Sequence, residues 1–277
     1  MKTPMRRKGR PRSTGSAAGQ GTIQALVRAL DVLDAIGDAN GMTLSGIAAE
    51  LGQSPATIHR ILSTLEARAI VENDPATQTW HVGPSAFRLG SAFLRRSGVV
   101  ERSRPVMHAL MESTGETSNL GIERGGHVMF VSQVETHESI RAFFPPGTLS
   151  PLHASGIGKA LLSLYPDARL ADFLRGRVLQ RFTPRTLTDA AALGAELLQI
   201  RSRGYAVDDE EKTEGMRCVA APIVNFYGEA VAGISVSGPT HRMPAHRLDD
   251  IGAMVCAAAA GGSPRAGAAG SPRWRLK

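Results

Sequence analysis

The length and charge of the chain set the first limits on its class. It has 277 residues, a net charge of +7 at pH 7 and an apolar share of 42%, which favours two globular domains. No apolar run reaches the roughly 20 residues of a membrane span, and the basic N-terminus lacks the apolar segment of a signal peptide. We therefore expect a cytoplasmic protein without a membrane partner. Cys218 and Cys256 show no CxxC spacing, which argues against a disulfide framework and a zinc site.

The positive charge is concentrated at the two ends of the chain. Residues 1–20 carry six Lys or Arg and no acid, and residues 261–277 carry four Lys or Arg and no acid. The net charge of the remaining residues, 21–260, is therefore −3. We predict that both ends are disordered basic tails, which attract DNA phosphates without sequence preference. Residues 7–12 (RKGRPR) resemble an AT-hook core that enters the minor groove, and a solvated flexible tail explains them equally well.

The first folded region is organised around a pair of helices. Residues 22–39 form an amphipathic helix, and residues 44–51 form a second one that ends at a Gly-Gln pair. A third helix begins where Ser54 can cap the free amides of its first turn and Pro55 has no amide to leave unpaired. The last two helices show a helix-turn-helix pattern. Residues 70–82 contain two strand-like runs around an Asp-Pro turn, which predicts the wing of a winged helix.

The third helix is predicted to contact DNA. One side of it carries an apolar stripe for the core, namely Ile58, Ile61, Leu62 and Leu65. The other side is free to enter a groove, where the first residues of a recognition helix face base edges and Arg contacts guanine or phosphate. The candidate DNA-binding residues are Ser54, Pro55, Ala56, Thr57, His59, Arg60 and Ser63. Taken alone, an ordinary helical hairpin with a solvated face explains the same pattern.

The rest of the chain predicts a second domain of the α+β class. A linker helix is expected near residues 84–98, followed by a new helix from Pro105, because proline disfavours helical geometry at the residue before it. Strand-like runs cover 117–123, 128–135 and 140–144, helices 157–164, 167–174 and 189–203, strands 205–208, 219–224 and 230–237, and a last helix 245–260. Two groups of strands with helices between them indicate a central antiparallel sheet.

Three separated motifs carry a family resemblance: HASGIGKALL (153–162), GYAVDDEE (204–211) and GMRCVAAPI (215–223). Together with the winged helix they resemble IclR-type transcriptional regulators over about residues 22–260. The resemblance implies a winged helix-turn-helix DNA-binding domain at 21–83, a linker helix at 84–98 and a GAF-like effector-binding domain at 99–260, between tails at 1–20 and 261–277.

The same resemblance implies how such a protein works. It implies a homodimer or homotetramer on a palindromic double-stranded DNA operator, and control of a catabolic operon by a small carboxylate effector. It implies no enzymatic activity and no cofactor. The effector would either release the DNA or change a contact with RNA polymerase, so that repressor and activator both stay open.

The resemblance also implies which residues bind the effector: Gly156, Ile157, Asp208, Cys218, Ser235 and Ser237. The residues themselves suggest His153 and Met216 as further candidates for the wall of the pocket. Amides at the start of a helix can receive a carboxylate, and two serines separated by one residue of a strand project to one face. Ile157 stands where family members often carry alanine, which implies a narrow pocket. Residues 133–148 (QVETHESIRAFFPPGT) are most similar to glyoxylate-responsive members.

Two interpretations from other classes of protein stay open. His153, Asp208 and Cys218 could form a Cys-His-Asp hydrolase site, although neither the cysteine nor the histidine lies in a recognisable nucleophile motif. Alternatively, the basic tails could make the protein a nucleoid-type DNA binder without operator preference. Four of the effector candidates, Asp208, Cys218, Ser235 and Ser237, also have an ordinary explanation, since alternating serines and acidic runs are usually solvated and a buried cysteine is usually inert.

Overall fold

The computed structural model describes residues 22–96 and 98–263, apart from the Arg96 side chain. The predicted N-terminal tail with its AT-hook-like stretch lies outside the described residues. Of the predicted C-terminal tail, residues 261 and 262 belong to a helix, and residues from 264 onward lie outside as well. The chain divides into two compact units, with the boundary between Phe93 and Leu94. No helix in the described ranges is long and apolar enough to cross a membrane.

The N-terminal unit combines three helices with a small antiparallel sheet. Its elements are α1 (Gln24–Asp38), β1 (Met42–Thr43), α2 (Leu44–Glu50), α3 (Pro55–Glu66), β2 (Val71–Asp74) and β3 (Thr79–Val82). The strand order is β1-β3-β2, and the hairpin of β2 and β3 forms the predicted wing. The two-residue strand β1 is not predicted from the sequence, because so short a segment has no periodicity. The helix α4 (Pro84–Arg96) follows and crosses the boundary between the units.

Side-chain caps fix where the two central helices begin. Thr43 Oγ1 accepts a hydrogen bond from the Gly46 amide at 3.1 Å, and Ser54 Oγ accepts one from the Thr57 amide at 3.2 Å. Pro55 is the first residue of α3, as predicted. The apolar sides then pack into one core, whose buried members include Ile36, Ile47, Ile58, Leu62, Val71 and Trp80. This core leaves the polar side of α3 facing outward.

The C-terminal unit contains a six-stranded antiparallel sheet in the order β6-β5-β4-β9-β8-β7. The strands are β4 (Thr117–Arg124), β5 (His127–Val134), β6 (Leu149–Pro151), β7 (Ala206–Asp209), β8 (Met216–Val224) and β9 (Ala230–Pro239). The helices are α5 (Gly98–Thr114), α6 (Gly156–Leu162), α7 (Asp167–Leu174), α8 (Ala190–Arg203) and α9 (Leu248–Gly262). The prediction of an α+β protein with an N-terminal winged helix-turn-helix is confirmed.

Helices cover both faces of this sheet. The start of α6 lies on one face, since a Cβ at Gly156 would meet Cys218 Sγ at 2.7 Å and Ala220 Cβ at 3.3 Å. The end of α9 lies on the other face, since a Cβ at Gly262 would lie 3.2 Å from Ile223 Cδ1. Odd and even residues of one strand point to opposite faces, so the two helices enclose the sheet between them.

The predicted start of a helix at Pro105 is wrong. The helix α5 begins at Gly98 and continues through Pro105. Val99, Ser103 and Met107 are buried along this one helix. The free energy gained by burying that continuous face therefore outweighs the cost of Pro105, which removes one backbone hydrogen bond and crowds the preceding turn.

The predicted strand at 140–144 is also wrong, although its alternating pattern does reflect packing. Ala142 is buried, and the ring of Phe144 stacks on that of Phe130 with 4.8 Å between the centroids. The backbone of this segment forms no ladder with another described strand, and the edge strand that pairs with β5 is Leu149–Pro151 instead. Alternation indicates that one side of a segment is buried, but it does not establish hydrogen bonding to a neighbouring strand.

Candidate functional site

A small, partly open cavity lies between the sheet and α6 in the C-terminal unit. Its volume is about 50 Å³, which is room for roughly three to five water-sized groups. All six effector candidates line it, and so does Met216. The other lining residues are Phe130, Phe144, Ser150, Ser155, Lys212, Thr213 and Arg217. Residues separated by up to 107 positions in the chain thus share one small space.

The register of the sheet explains why three of these residues meet. Asp208 on β7 stands opposite Cys218 on β8, and Cys218 stands opposite Ser237 on β9. Residues directly opposite each other in adjacent strands project to the same face. They therefore form one polar row across three strands, and Ser235 extends it two residues further along β9.

The two serines differ in their hydrogen bonding. Ser237 Oγ accepts a bond from Asn119 Nδ2 at 3.3 Å, and Asn119 Oδ1 in turn accepts one from Gln133 Nε2 at 2.9 Å. Ser235 is 1% exposed, and its Oγ makes no hydrogen bond of normal geometry within the described ranges. It lies close enough to the Cys218 thiol to lower the pKa of that thiol. A buried hydroxyl without a partner costs about 1–3 kcal/mol, so a ligand atom that hydrogen-bonds to Ser235 would be favoured.

Asp208 is a buried carboxylate held by backbone amides. Its Oδ1 accepts hydrogen bonds from the amides of Glu211 at 2.7 Å and Lys212 at 3.4 Å. Burial raises the pKa of Asp208 to about 6, against the opposing effect of the Lys159 charge. The group is thus mostly ionised at neutral pH, and it can still exchange a proton with a bound molecule.

Cys218 carries a protonated thiol. Burial, and next the nearby charge of Asp208, raise the pKa of the Cys218 thiol to about 11. His153 is not among the residues that line the cavity, and its Nε2 lies 2.9 Å from the carbonyl oxygen of Gln180. The cysteine, histidine and aspartate that a hydrolase would need are therefore not assembled around one point. Met216, the other wall candidate, does line the cavity.

Lys159 does not line the cavity but contacts the residues that position its wall. The sequence alone did not point to it. It is fully buried, its Nζ donates to the carbonyl oxygen of Val207 at 2.6 Å, and it forms an ion pair with Glu211. Burial raises the pKa of Glu211 to about 7, with Lys159 acting in the opposite direction. Because the Glu211 amide also binds Asp208, Lys159 fixes the turn that positions this carboxylate. A lone lysine within the apolar run GIGKALL was the available signal.

Lys212 brings a positive charge to the cavity wall. Its Nζ lies 3.4 Å from the centroid of the Phe182 ring, and it makes no ion pair within the described ranges. Burial lowers the pKa of Lys212, and the charge of Asp208 opposes this effect. The cation suits an anionic ligand. Its place at the end of the acidic run DDEEK was the only signal in the sequence.

The predicted DNA-binding residues form the outer side of α3. Six of the seven are exposed, and Thr57 is half-buried. A groove of about 700 Å³ runs between α3 and α1, and Thr57, His59, Arg60 and Ser63 line it. Arg28 of α1 lines the same groove, so that basic side chains from two helices flank it. Sequence analysis did not single out Arg28, because one Arg on the polar side of a helix is ordinary.

Comparisons with known proteins agree with this architecture. A family profile described as "Bacterial transcriptional regulator IclR C-terminal" matches residues 91–263, and one described as "IclR helix-turn-helix domain" matches residues 25–75. The HTH-type transcriptional regulator BhcR of Paracoccus denitrificans is 58% identical over 262 residues, which are 94% of each chain. The HTH-type transcriptional repressor AllR of Klebsiella pneumoniae is 37% identical over 254 residues, which are 91% of this chain and 93% of that one.

The fold also has counterparts among solved structures. The crystal structure of Thermotoga maritima IclR superimposes with a TM-score of 0.71 at 28% sequence identity. The superposition covers 86% of this chain and 96% of that one. The similarity therefore extends through both units rather than through the helix-turn-helix alone.

Proposed function

Because the chain belongs to the IclR family of bacterial transcriptional regulators, we propose that its control of transcription responds to a small carboxylate bound in the cavity, with glyoxylate as the first choice. The protein binds a palindromic operator through α3 as a homodimer or homotetramer. The observation that carries the proposal is the cavity itself, which combines an unpartnered buried hydroxyl at Ser235 with the cation of Lys212.

Size and polarity both favour a two-carbon or three-carbon acid. A space of about 50 Å³ holds roughly three to five water-sized groups, which is too little for an aromatic acid. The carboxylate would accept hydrogen bonds from Ser235 and from the first amides of α6, at Gly156 and Ile157. Asp208 would accept a hydrogen bond from a hydroxyl at the other end of the ligand. Ile157 limits the length of the ligand, since its side chain fills the space above Gly233 of the sheet.

The response to the effector is proposed to be release of the operator. The relative AllR is named a repressor, which supports repression relieved by the ligand over activation through RNA polymerase. Calorimetric titration of the full chain with glyoxylate, pyruvate and 4-hydroxybenzoate tests the ligand. Glyoxylate should bind with one site per chain and lower operator affinity in a mobility-shift assay, whereas 4-hydroxybenzoate should give no heat. No heat with glyoxylate would remove it as the effector.

Replacing Ser235 by Ala should weaken binding of the carboxylate by about ten- to hundredfold, because a hydrogen bond to a charged group contributes about 1.5–3 kcal/mol. Operator binding without ligand should not change. Ser118→Ala is the matched control, because Ser118 Oγ is also buried without a partner but lies opposite Val236, on the other face of the sheet. Calorimetry should give the same carboxylate affinity for this control as for the wild type. Equal losses in both variants would mean that the serines act through the sheet and not through contact.

Replacing Arg60 by Ala should lower operator affinity by about 1–3 kcal/mol if its guanidinium contacts a base, with a smaller loss on random DNA. Arg175→Ala is the control for the lost charge, since Arg175 is exposed and directly follows α7 in the other unit. Fluorescence anisotropy with operator and random duplexes at two salt concentrations measures both. Equal weakening on the two duplexes would assign Arg60 to phosphate contact. Equal wild-type affinity for both duplexes would favour a nucleoid-type binder.

A further inference from the structure

We propose that the cavity captures its ligand covalently and reversibly, with Cys218 adding to the carbonyl carbon of an aldehyde acid or 2-oxo acid to form a hemithioacetal or hemithioketal. The inference rests on the proposed function, because it assumes that a small carboxylate enters the cavity. It goes further by stating the chemical class of that acid. The thiol would select acids with an electrophilic carbonyl over others of equal size.

The position of the sulphur carries the first part of the argument. Cys218 lines the cavity, and its strand neighbours in register are Asp208 on one side and Ser237 on the other. A Cβ on Gly156 would lie 2.7 Å from Cys218 Sγ. The start of α6 therefore packs directly on the sulphur, and a ligand would reach the thiol from the side on which Cys218 lines the cavity.

A second, independent observation points to a ligand at this place. Ser235 is nine-tenths buried or more, lines the same cavity and lacks a hydrogen-bond partner in the part of the chain that the structure describes. It lies beside the Cys218 thiol. In an aldehyde acid or 2-oxo acid of this kind, the carboxylate carbon is bonded directly to the carbonyl carbon. A ligand whose carboxylate binds Ser235 would therefore place its carbonyl carbon close to the Cys218 sulphur.

The addition balances without any further reactant. The sulphur forms a bond to the carbonyl carbon, the C=O π bond breaks, and the thiol proton ends on the former carbonyl oxygen. Asp208 is the group placed to accept the proton from sulphur and return it to oxygen. No oxidant, reductant or leaving group takes part, and reversal regenerates the free acid and the thiol.

The environment favours such an adduct over a persistent thiolate. Burial penalises a charge on the sulphur, and the pKa of the Cys218 thiol is accordingly raised to about 11. A hydrolase nucleophile needs the thiolate. The adduct has a neutral sulphur, so the same burial does not penalise it.

The test uses the full chain and glyoxylate labelled with ¹³C at the aldehyde carbon. In water this carbon is present as a hydrate, with two oxygens attached. Binding should produce a new ¹³C resonance of a carbon that carries one hydrogen, one oxygen and one sulphur, in slow exchange with the hydrate. Cys218→Ser should abolish the new resonance. Cys256→Ser should retain it, because Cys256 lies on α9 and its Sγ contacts the carbonyl oxygen of Gly204.

Affinity provides a second readout that separates this inference from the proposed function. Oxamate has the charge of glyoxylate and is larger only by an NH2 group in place of a hydrogen, which gives it the size of pyruvate, and its amide carbonyl is unreactive. Cys218→Ser should weaken glyoxylate binding by about tenfold or more and leave oxamate binding within about twofold. If glyoxylate binds and only the hydrate resonance is seen, or if the variant loses both acids equally, the covalent step is overturned and the proposed function stands. If neither acid binds the wild type, both are overturned.

Discussion

Replacing Lys159 by Met should lower the free energy of unfolding by about 3–5 kcal/mol, because it leaves Glu211 in a buried place without its cation. Lys159 is fully buried and pairs with Glu211, whose carboxylate is also buried. The second oxygen of Glu211 already lacks a hydrogen bond within the described ranges. Urea denaturation of the C-terminal unit, followed by circular dichroism, measures the loss.

Two controls show whether the loss comes from the uncompensated charge. Adding Glu211→Gln to Lys159→Met removes the buried charge and should restore most of the lost free energy. Replacing Arg175 by Ala breaks its pair with Asp172, in which both side chains are mainly exposed, and should cost about 0–1 kcal/mol. If the double variant is no more stable than the single one, Glu211 is already protonated in the single variant, since burial raises its pKa to about 7 even with Lys159 present, and the loss comes from the contacts of the Lys159 ammonium group.

The same double variant should bind the carboxylate more weakly than the wild type even where its stability recovers. Lys159 holds the carbonyl of Val207 and the side chain of Glu211, and the Glu211 amide holds Asp208. Without the lysine, the turn that presents Asp208 loses its fixed position. The free energy of unfolding would then recover while the affinity for the carboxylate stays low, as expected for a residue that positions the cavity wall.

The winged helix could be predicted from the sequence because its signals are local. The Ser54 cap and the proline after it define the start of α3 within two residues. The apolar stripe that contains Ile58 and Leu62 follows at helical spacing, and both are buried as predicted. Each of these features depends on neighbours within one or two helical turns.

The cavity could not be predicted in this way, because strand register places its residues. Asp208, Cys218 and Ser237 lie on three adjacent strands, and no local pattern specifies that alignment. The family resemblance supplied these residues. It supplied neither Lys159 nor Lys212, whose roles follow from burial and from the partners that each one meets. Pro105 shows the reverse case, in which a strong local signal is overridden by the burial of a whole helix face.

Replacing Gly158 by Ala should destabilise the C-terminal unit by about 3 kcal/mol, at the upper end of the cost of overpacking a core, and should also abolish detectable carboxylate binding. A Cβ at this position would lie 2.2 Å from the carbonyl oxygen of Leu152 and 2.5 Å from its Cα. Both are backbone atoms, which cannot rotate away as a side chain can. The helix α6 would have to move, and its first residues Gly156 and Ile157 form the wall of the cavity. Thermal denaturation and calorimetric titration of the same preparation measure the two effects.

Gly194→Ala is the matched control, because Gly194 is also within a helix of the same unit, α8. A Cβ there would meet nothing within 4 Å, so alanine should stabilise the helix by roughly 0.5–1 kcal/mol through its lower backbone entropy when unfolded. The two substitutions add the same methyl group in the same backbone conformation, and only the space around it differs. A stable Gly158→Ala protein that binds the carboxylate normally would mean that α6 can retreat from Leu152. In that case the position of α6 would not be fixed by its contact with Leu152. The small size of the cavity, which favours a two-carbon acid, would then need another explanation.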